Sequence, residues 1–148
     1  SKSLLKALRF SADGPVLWMN GDVVFDPQVL ARLDSHIVRG DNVVCVNTSA
    51  VAEEEVKYTV DASGHVNALS KQVTDALGEA VGINLISGKD KARLVECLAE
   101  CGEQDYFERG IELAIEKHGT KFVPVDISDL FAVEVDFDDD LARANART

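Results

Sequence analysis

The chain has 148 residues, 46% of them hydrophobic and 28% charged, the proportions of one globular domain able to bury about two thirds of its unfolded surface. Fifteen basic against 26 acidic residues leave a formal charge of −11, a field that repels polyanions and argues against nucleic-acid binding, so a phosphorylated ligand would call for a metal to supply positive charge. The longest apolar runs, four to six residues, are too short for a transmembrane helix, and no charged segment with an apolar core opens the chain as a secretory signal does.

The first predicted element is a helix over residues 2 to 10, where Leu4, Leu5 and Leu8 recur at helical spacing. A turn at Ala12-Asp13-Gly14-Pro15 leads to Val16-Leu17-Trp18-Met19, an apolar run expected as a strand covered on both faces, which ends at Asn20-Gly21-Asp22. Asp26-Pro27 is expected to start a helix, with Asp26 as N-cap, Pro27 in the first turn, and Leu30 and Leu33 on the apolar face. Val43 to Val46 reads as a second buried strand, and the polar stretch from Ala50 to Glu55 as the clearest break. Val56 to Val60 and Val66 to Leu69 flank Asp61-Ala62-Ser63-Gly64 as a hairpin, and Ala80 to Ile86 is a further strand. Amphipathic helices are expected over Lys89 to Glu100 and Asp105 to Lys117, stopped at Gly102 and Gly119. Strands over Phe122 to Val125 and Phe131 to Val135 precede a last helix over Asp138 to Ala146, with Asp138 as its N-cap. Helices alternating with apolar strands, plus one inserted hairpin and no internal repeat, indicate a single three-layer α/β domain with a mixed sheet over residues 1 to 148.

The three cysteines, Cys45, Cys97 and Cys101, are an odd, low count that suits a reducing, cytoplasmic setting and thiols packed as small apolar groups. Cys97 and Cys101 share a helix face but form neither C-x-x-C nor a zinc set. His36, His65 and His118 stand in polar turns or at helix ends and read as surface residues. No Walker loop, G-x-G-x-x-G or nucleophile elbow is present.

The candidate chemistry lies at strand ends, where open α/β sheets bind ligands. Asp22 follows a strand and offers a carboxylate to a metal; Gly21 lets the backbone approach a ligand. The alternative is a plain turn with Asp22 capping local amides. Asp136 ends the Val133-Glu134-Val135-Asp136 run, while Asp138, Asp139 and Asp140 suit a helix N-terminus. If Asp22 and Asp136 lie on neighbouring strand ends they make an oxygen site for Mg²⁺, which takes one or two protein carboxylates and completes its shell with water and phosphate. Lys71, after the hairpin, is either a point charge for a phosphate or an exposed lysine. Gly78-Glu79-Ala80-Val81-Gly82 either makes room for a ligand or marks a bend.

These segments together resemble the sugar-phosphate nucleotidyltransferases, most of all the phosphocholine cytidylyltransferase-like branch. Val16 to Leu33 (VLWMNGDVVFDPQVLARL) resembles that family's metal-binding strand, loop and helix. Val56 to Lys71 and Gly78 to Ser87 (GEAVGINLIS) resemble V-K-x-x-x-D-x-x-G-x-V, then S-K, then G-E-x-x-G-I. Asp105 to Glu116 resembles the helix that follows, and Glu134 to Ala144 (EVDFDDDLARA) the closing E-[IV]-D-x-x-x-D-L-x-x-A.

The resemblance implies a Rossmann-like mixed sheet and transfer of a nucleoside monophosphate from a nucleoside triphosphate to a sugar phosphate or phosphocholine-like acceptor, with release of pyrophosphate. It implies Asp22 and Asp136 as Mg²⁺ ligands, Lys71 at the acceptor or its phosphate, and Glu79 and Gly82 in the acceptor pocket. The family's G-x-G-x-R-L nucleotide loop, which precedes all these segments, is absent. The chain therefore resembles the C-terminal part of a larger enzyme, incomplete at its N-terminus and expected to be inactive alone. Two other readings stand beside it. A glycosyltransferase of similar architecture would carry D-x-D, which Asp22 and Asp26 do not form. A non-catalytic module would bind a partner or form a homodimer through an exposed sheet region.

Overall fold

A computed structural model describes residues 1–49 and 51–147. Of the expected polar break, position 50 lies outside the described residues. The expected three-layer α/β arrangement is present, built on a sheet centred on β3 (Asn42–Asn47) and β6 (Gly78–Ile86). β7 (Phe122–Asp126) runs parallel to β3, and β6 antiparallel to it. The other edge of β6 serves two strands in succession. Its first residues pair with β4 (Lys57–Val60) and its last with β1 (Val16–Met19), both antiparallel. β4 turns into β5 (Val66–Ser70) as the predicted hairpin, with Asp61 Oδ1 accepting the Ser63 and His65 N–H groups at 2.8 and 3.1 Å.

Alternate residues of the central strands face opposite layers. Val43, Cys45, Ile83 and Leu85 pack with Val29 and Leu33 of α2 (Gln28–Arg39). Val44, Val46 and Ile86 pack on the other face with side chains of α1 (Lys2–Phe10), α3 (Lys91–Glu100) and α4 (Phe107–His118). Apolar residues on both faces are therefore what these strands need.

Several local expectations change. The buried pair on α2 is Val29 and Leu33, one helical turn apart, while Leu30 is 39% exposed. The N-cap of α2 is Pro27 rather than Asp26, although the Asp26 carboxylate still accepts the Gln28 N–H at 2.9 Å. α4 does end at Gly119, with φ +62°, but α3 ends on extended Cys101 rather than on Gly102. In α5 (Asp138–Asn145) the N-cap is Phe137, whose N–H donates to Asp140 Oδ2 at 3.2 Å; Asp138 is inside the first turn. β1 is half-buried rather than covered on both faces: Met19 is 40% exposed, and among the described residues no strand pairs with the edge of β1 that faces away from β6. No helix among the described residues is long and apolar enough to cross a membrane.

The largest departure is a strand where the sequence suggests only loop, paired with the strand expected over Phe131 to Val135. Val23–Phe25 forms β2 and pairs antiparallel with β8 (Ala132–Glu134), Val23 opposite Glu134 and Phe25 opposite Ala132. The pairing continues beyond the strands, with the Val135 N–H donating to the Asp22 carbonyl at 2.9 Å.

Candidate functional site

The β2–β8 ribbon brings two distant stretches of acid side by side. Asp22 immediately precedes β2, Glu134 closes β8, and Asp136 stands one alternate position further on. Each offers a carboxylate oxygen, and these oxygens lie within 4.8 Å of one another. Asp22 and Asp136 are exposed and Glu134 is half-buried. Burial pushes the Glu134 carboxyl up, and the charges of Glu55, Asp22 and Asp136 push it further; a hydrogen bond with Asn20 opposes them. Such a group of hard oxygen donors suits a divalent cation of the Mg²⁺ type, whose charge would relieve the crowding.

Beside the acids, β6 bends. Gly82 has φ +73°, a left-handed conformation that favours glycine, and its carbonyl accepts the Asn20 N–H at 2.9 Å. A Cβ on Gly82 would stand 2.7 Å from Asn20 Nδ2, so the turn after β1 approaches the strand closely because this residue is glycine. Gly82 falls between the stretch of β6 that pairs with β4 and the one that pairs with β1. A cavity of about 880 Å³ lies here, lined by Asn20, Lys71, Gly82, Phe107, Glu108 and Asp136 among others. A second cavity, of about 390 Å³, adjoins it through shared walls at Glu55, Ala80, Glu134, Asp136 and Phe137.

Asp22 and Asp136 therefore meet as the sequence anticipates. Lys71 lines the larger cavity, its Nζ 5.6 Å from the centre of the Tyr106 ring. Gly82 lines the same cavity, whereas Glu79 lines the smaller one and accepts the Ala52 N–H on Oε2 at 3.0 Å. Gly21 is exposed in the turn between Asn20 and Asp22, lines neither cavity, and has open space where a Cβ would stand.

Several acids at these cavities escape sequence reasoning, among them Glu134, Glu55 and Glu108. Glu134 shares a face of the extended chain with Asp136, and that two-residue spacing is the signal that could have found it. Glu55 is half-buried and lines both cavities, its carboxyl raised first by burial and then by Glu79 and Asp136. Glu108, in the first turn of α4, is only 8% exposed and lines the larger cavity. Nothing in the helical pattern marks it, because a Glu in a first helical turn is ordinary.

In sequence the chain matches no family profile and no curated protein. In structure it has the fold of the sugar-phosphate nucleotidyltransferases. It superposes on the inositol-1-phosphate CTP transferase of T. maritima with a TM-score of 0.78 at 13% identity, covering 99% of this chain and 60% of that one. The UTP-bound UGPase of Acinetobacter baumannii gives 0.67 at 10% identity, with 98% and 54% covered. The nucleoside-diphosphate-sugar pyrophosphorylase of Vibrio cholerae RC9 gives 0.61 at 11% identity, with 97% and 60% covered. The chain thus spans 54–60% of the length of these neighbours.

Proposed function

We propose that this chain supplies the metal-binding and acceptor-binding part of a nucleotidyltransferase. In the reaction, an oxygen of a phosphorylated small molecule attacks the α-phosphorus of a nucleoside triphosphate, the bond to the β-phosphate breaks, and pyrophosphate leaves. The acceptor classes are those anticipated from sequence, a sugar phosphate or a phosphocholine-like compound. The observation that carries the reading is the convergence of Asp22, Glu134 and Asp136 beside a cavity that Lys71 lines, in this fold.

The chemistry asks a protein for alignment and charge neutralisation more than for a nucleophile of its own. Asp22 and Asp136, with Glu134 beside them, would hold Mg²⁺, which when bound offsets phosphate charge. Lys71 offers a second, mobile positive charge to the acceptor's phosphate. Gly82 keeps the cavity open, and Glu79 braces the chain at Ala52 beside the acids. No G-x-G-x-R-L segment occurs in these residues, so the base and triphosphate contacts have no candidate here.

The test is calorimetric titration of the chain with MgCl₂, alongside the Asp22→Asn/Asp136→Asn double variant. One Mg²⁺ site in the parent, weakened at least about tenfold in the variant, is expected when two charged ligands are lost. Absence of that site, together with stable dimers that bind no nucleotide, would move the reading to the partner-binding module, for which the edge of β1 left unpaired among the described residues is one available surface.

A further inference from the structure

The larger cavity contains a group that metal binding does not use. Glu108 is almost wholly buried in the cavity wall, yet its carboxylate forms no ion pair and takes no side-chain donor among the described residues. Its one recorded hydrogen bond is with its own backbone N–H. Burial pushes this carboxyl up and Glu112 adds to the rise, while the amino terminus at Ser1 and Lys71 pull the other way. Neither cation closes on it. The Ser1 ammonium donates to the Asp105 carbonyl at 3.1 Å, and Lys71 Nζ stands over the Tyr106 ring. Glu54 and Glu55 line the same cavity, so its lining carries acid beyond the carboxylates that a divalent ion at the cluster would neutralise.

We propose that Glu108 receives a protonated amine of the acceptor, so that the cavity selects small phosphorylated compounds bearing an N–H ammonium over neutral sugar phosphates. This deepens, and rests on, the nucleotidyl-transfer reading above. A buried carboxylate without donors is costly, and a ligand that brings both charge and N–H groups removes that cost. A sugar hydroxyl brings a donor without charge. A quaternary ammonium brings charge without a donor and is held by open aromatic faces. Of the rings that line this cavity, Phe107 stands edge-on with Trp18 at a centroid distance of 5.8 Å, while Tyr106 and Phe137 are largely exposed, so they do not form a buried cage for a quaternary nitrogen. Lys71 lies in the same cavity to meet the phosphate end, which leaves Glu108 for the nitrogen.

The experiment is titration of the Mg²⁺-loaded chain with phosphoethanolamine, phosphocholine and glucose 1-phosphate, repeated on Glu108→Gln and Glu108→Asp. Phosphoethanolamine is expected to bind at least about tenfold more tightly than glucose 1-phosphate, the size of one hydrogen bond to a charged group. Glu108→Gln should abolish that preference without weakening glucose 1-phosphate, and Glu108→Asp should keep part of it. Carboxyl NMR adds a readout that packing alone would not move: the Glu108 titration should shift down with phosphoethanolamine and stay put with glucose 1-phosphate. Equal affinities, a preference that survives in Glu108→Gln, phosphocholine binding as tightly as phosphoethanolamine, or no binding of any of them overturns the assignment. If Mg²⁺ binds and the preference is missing, this inference falls alone; if Mg²⁺ does not bind, the nucleotidyl-transfer reading falls first.

Discussion

Asp126, at the end of β7, and Glu134, at the end of β8, are both acids that close a strand, and their surroundings treat them in opposite ways. Asp126 accepts hydrogen bonds from the Ser128 hydroxyl, the Ser128 N–H at 2.9 Å and the Thr48 hydroxyl at 3.0 Å, and these hold its carboxyl below the usual range. Glu134 is pushed above it, first by burial and then by the charges of Glu55, Asp22 and Asp136. The contrast extends across the molecule. Asp61, Asp41 and Asp129 are held low by hydrogen-bond donors, while Glu55, Glu108 and Glu134, all at the cavities, are raised by burial. Acids that hold turns and helix ends are satisfied by the chain itself. Glu55, Glu108 and Glu134 instead keep carboxyls that a ligand or cation would relieve, and local stability is the cost.

If this division is right, the core and the cavities respond differently to substitution. Leu33→Ala should be the most damaging change, because Leu33 is fully buried between α2 and the sheet. A loss of about 2–5 kcal/mol is expected by chemical denaturation, with Mg²⁺ affinity of the remaining folded protein unchanged. Gly82→Ala should cost somewhat less, about 2–3 kcal/mol, from left-handed backbone and crowding against Asn20, and unlike Leu33→Ala it should also impair ligand binding in the larger cavity. A Gly82→Ala protein as stable as the parent would remove the bend from the account of the site.

Glu108→Gln should act in the opposite sense. The folded-state carboxyl is raised above its unfolded value of about 4.3, so its protonated form is favoured by folding. That contribution is complete below the unfolded value and is lost as pH climbs through the raised folded one. The parent should therefore lose stability over this range relative to Glu108→Gln, and thermal melts at pH 4 and pH 8 would show the gap widening upward. The smallest effect is expected at Cys45. Burial pushes its thiol up to about 12, with Arg32 opposing weakly, so iodoacetamide at pH 8 should leave it untouched in the folded chain and label it after unfolding.

Local chemistry made much of this legible in advance. The runs at Val43–Val46 and Ala80–Ile86 carry apolar residues for both faces of a buried strand, and Asp61 to Gly64 carries the residues a hairpin turn requires. The acids Asp22 and Asp136 stood out because each follows an apolar run. β2 was hidden because three residues are too few to show a period, and their extended form depends on pairing with β8 at the far end of the chain. The helical pattern admits both Leu30 and Val29 beside Leu33, and only packing against the sheet selects Val29.

The sequence by itself determined the alternation of helices and strands, the hairpin, and which acids follow which strands, since these depend on residues near one another. Only the tertiary structure decided that Asp22, Glu134 and Asp136 share one site, that Gly82 bends β6 around a cavity, and that Glu108 is buried there with no side-chain donor among the described residues. Those are properties of distance and desolvation between segments far apart in the chain, and no local pattern of residue types encodes them.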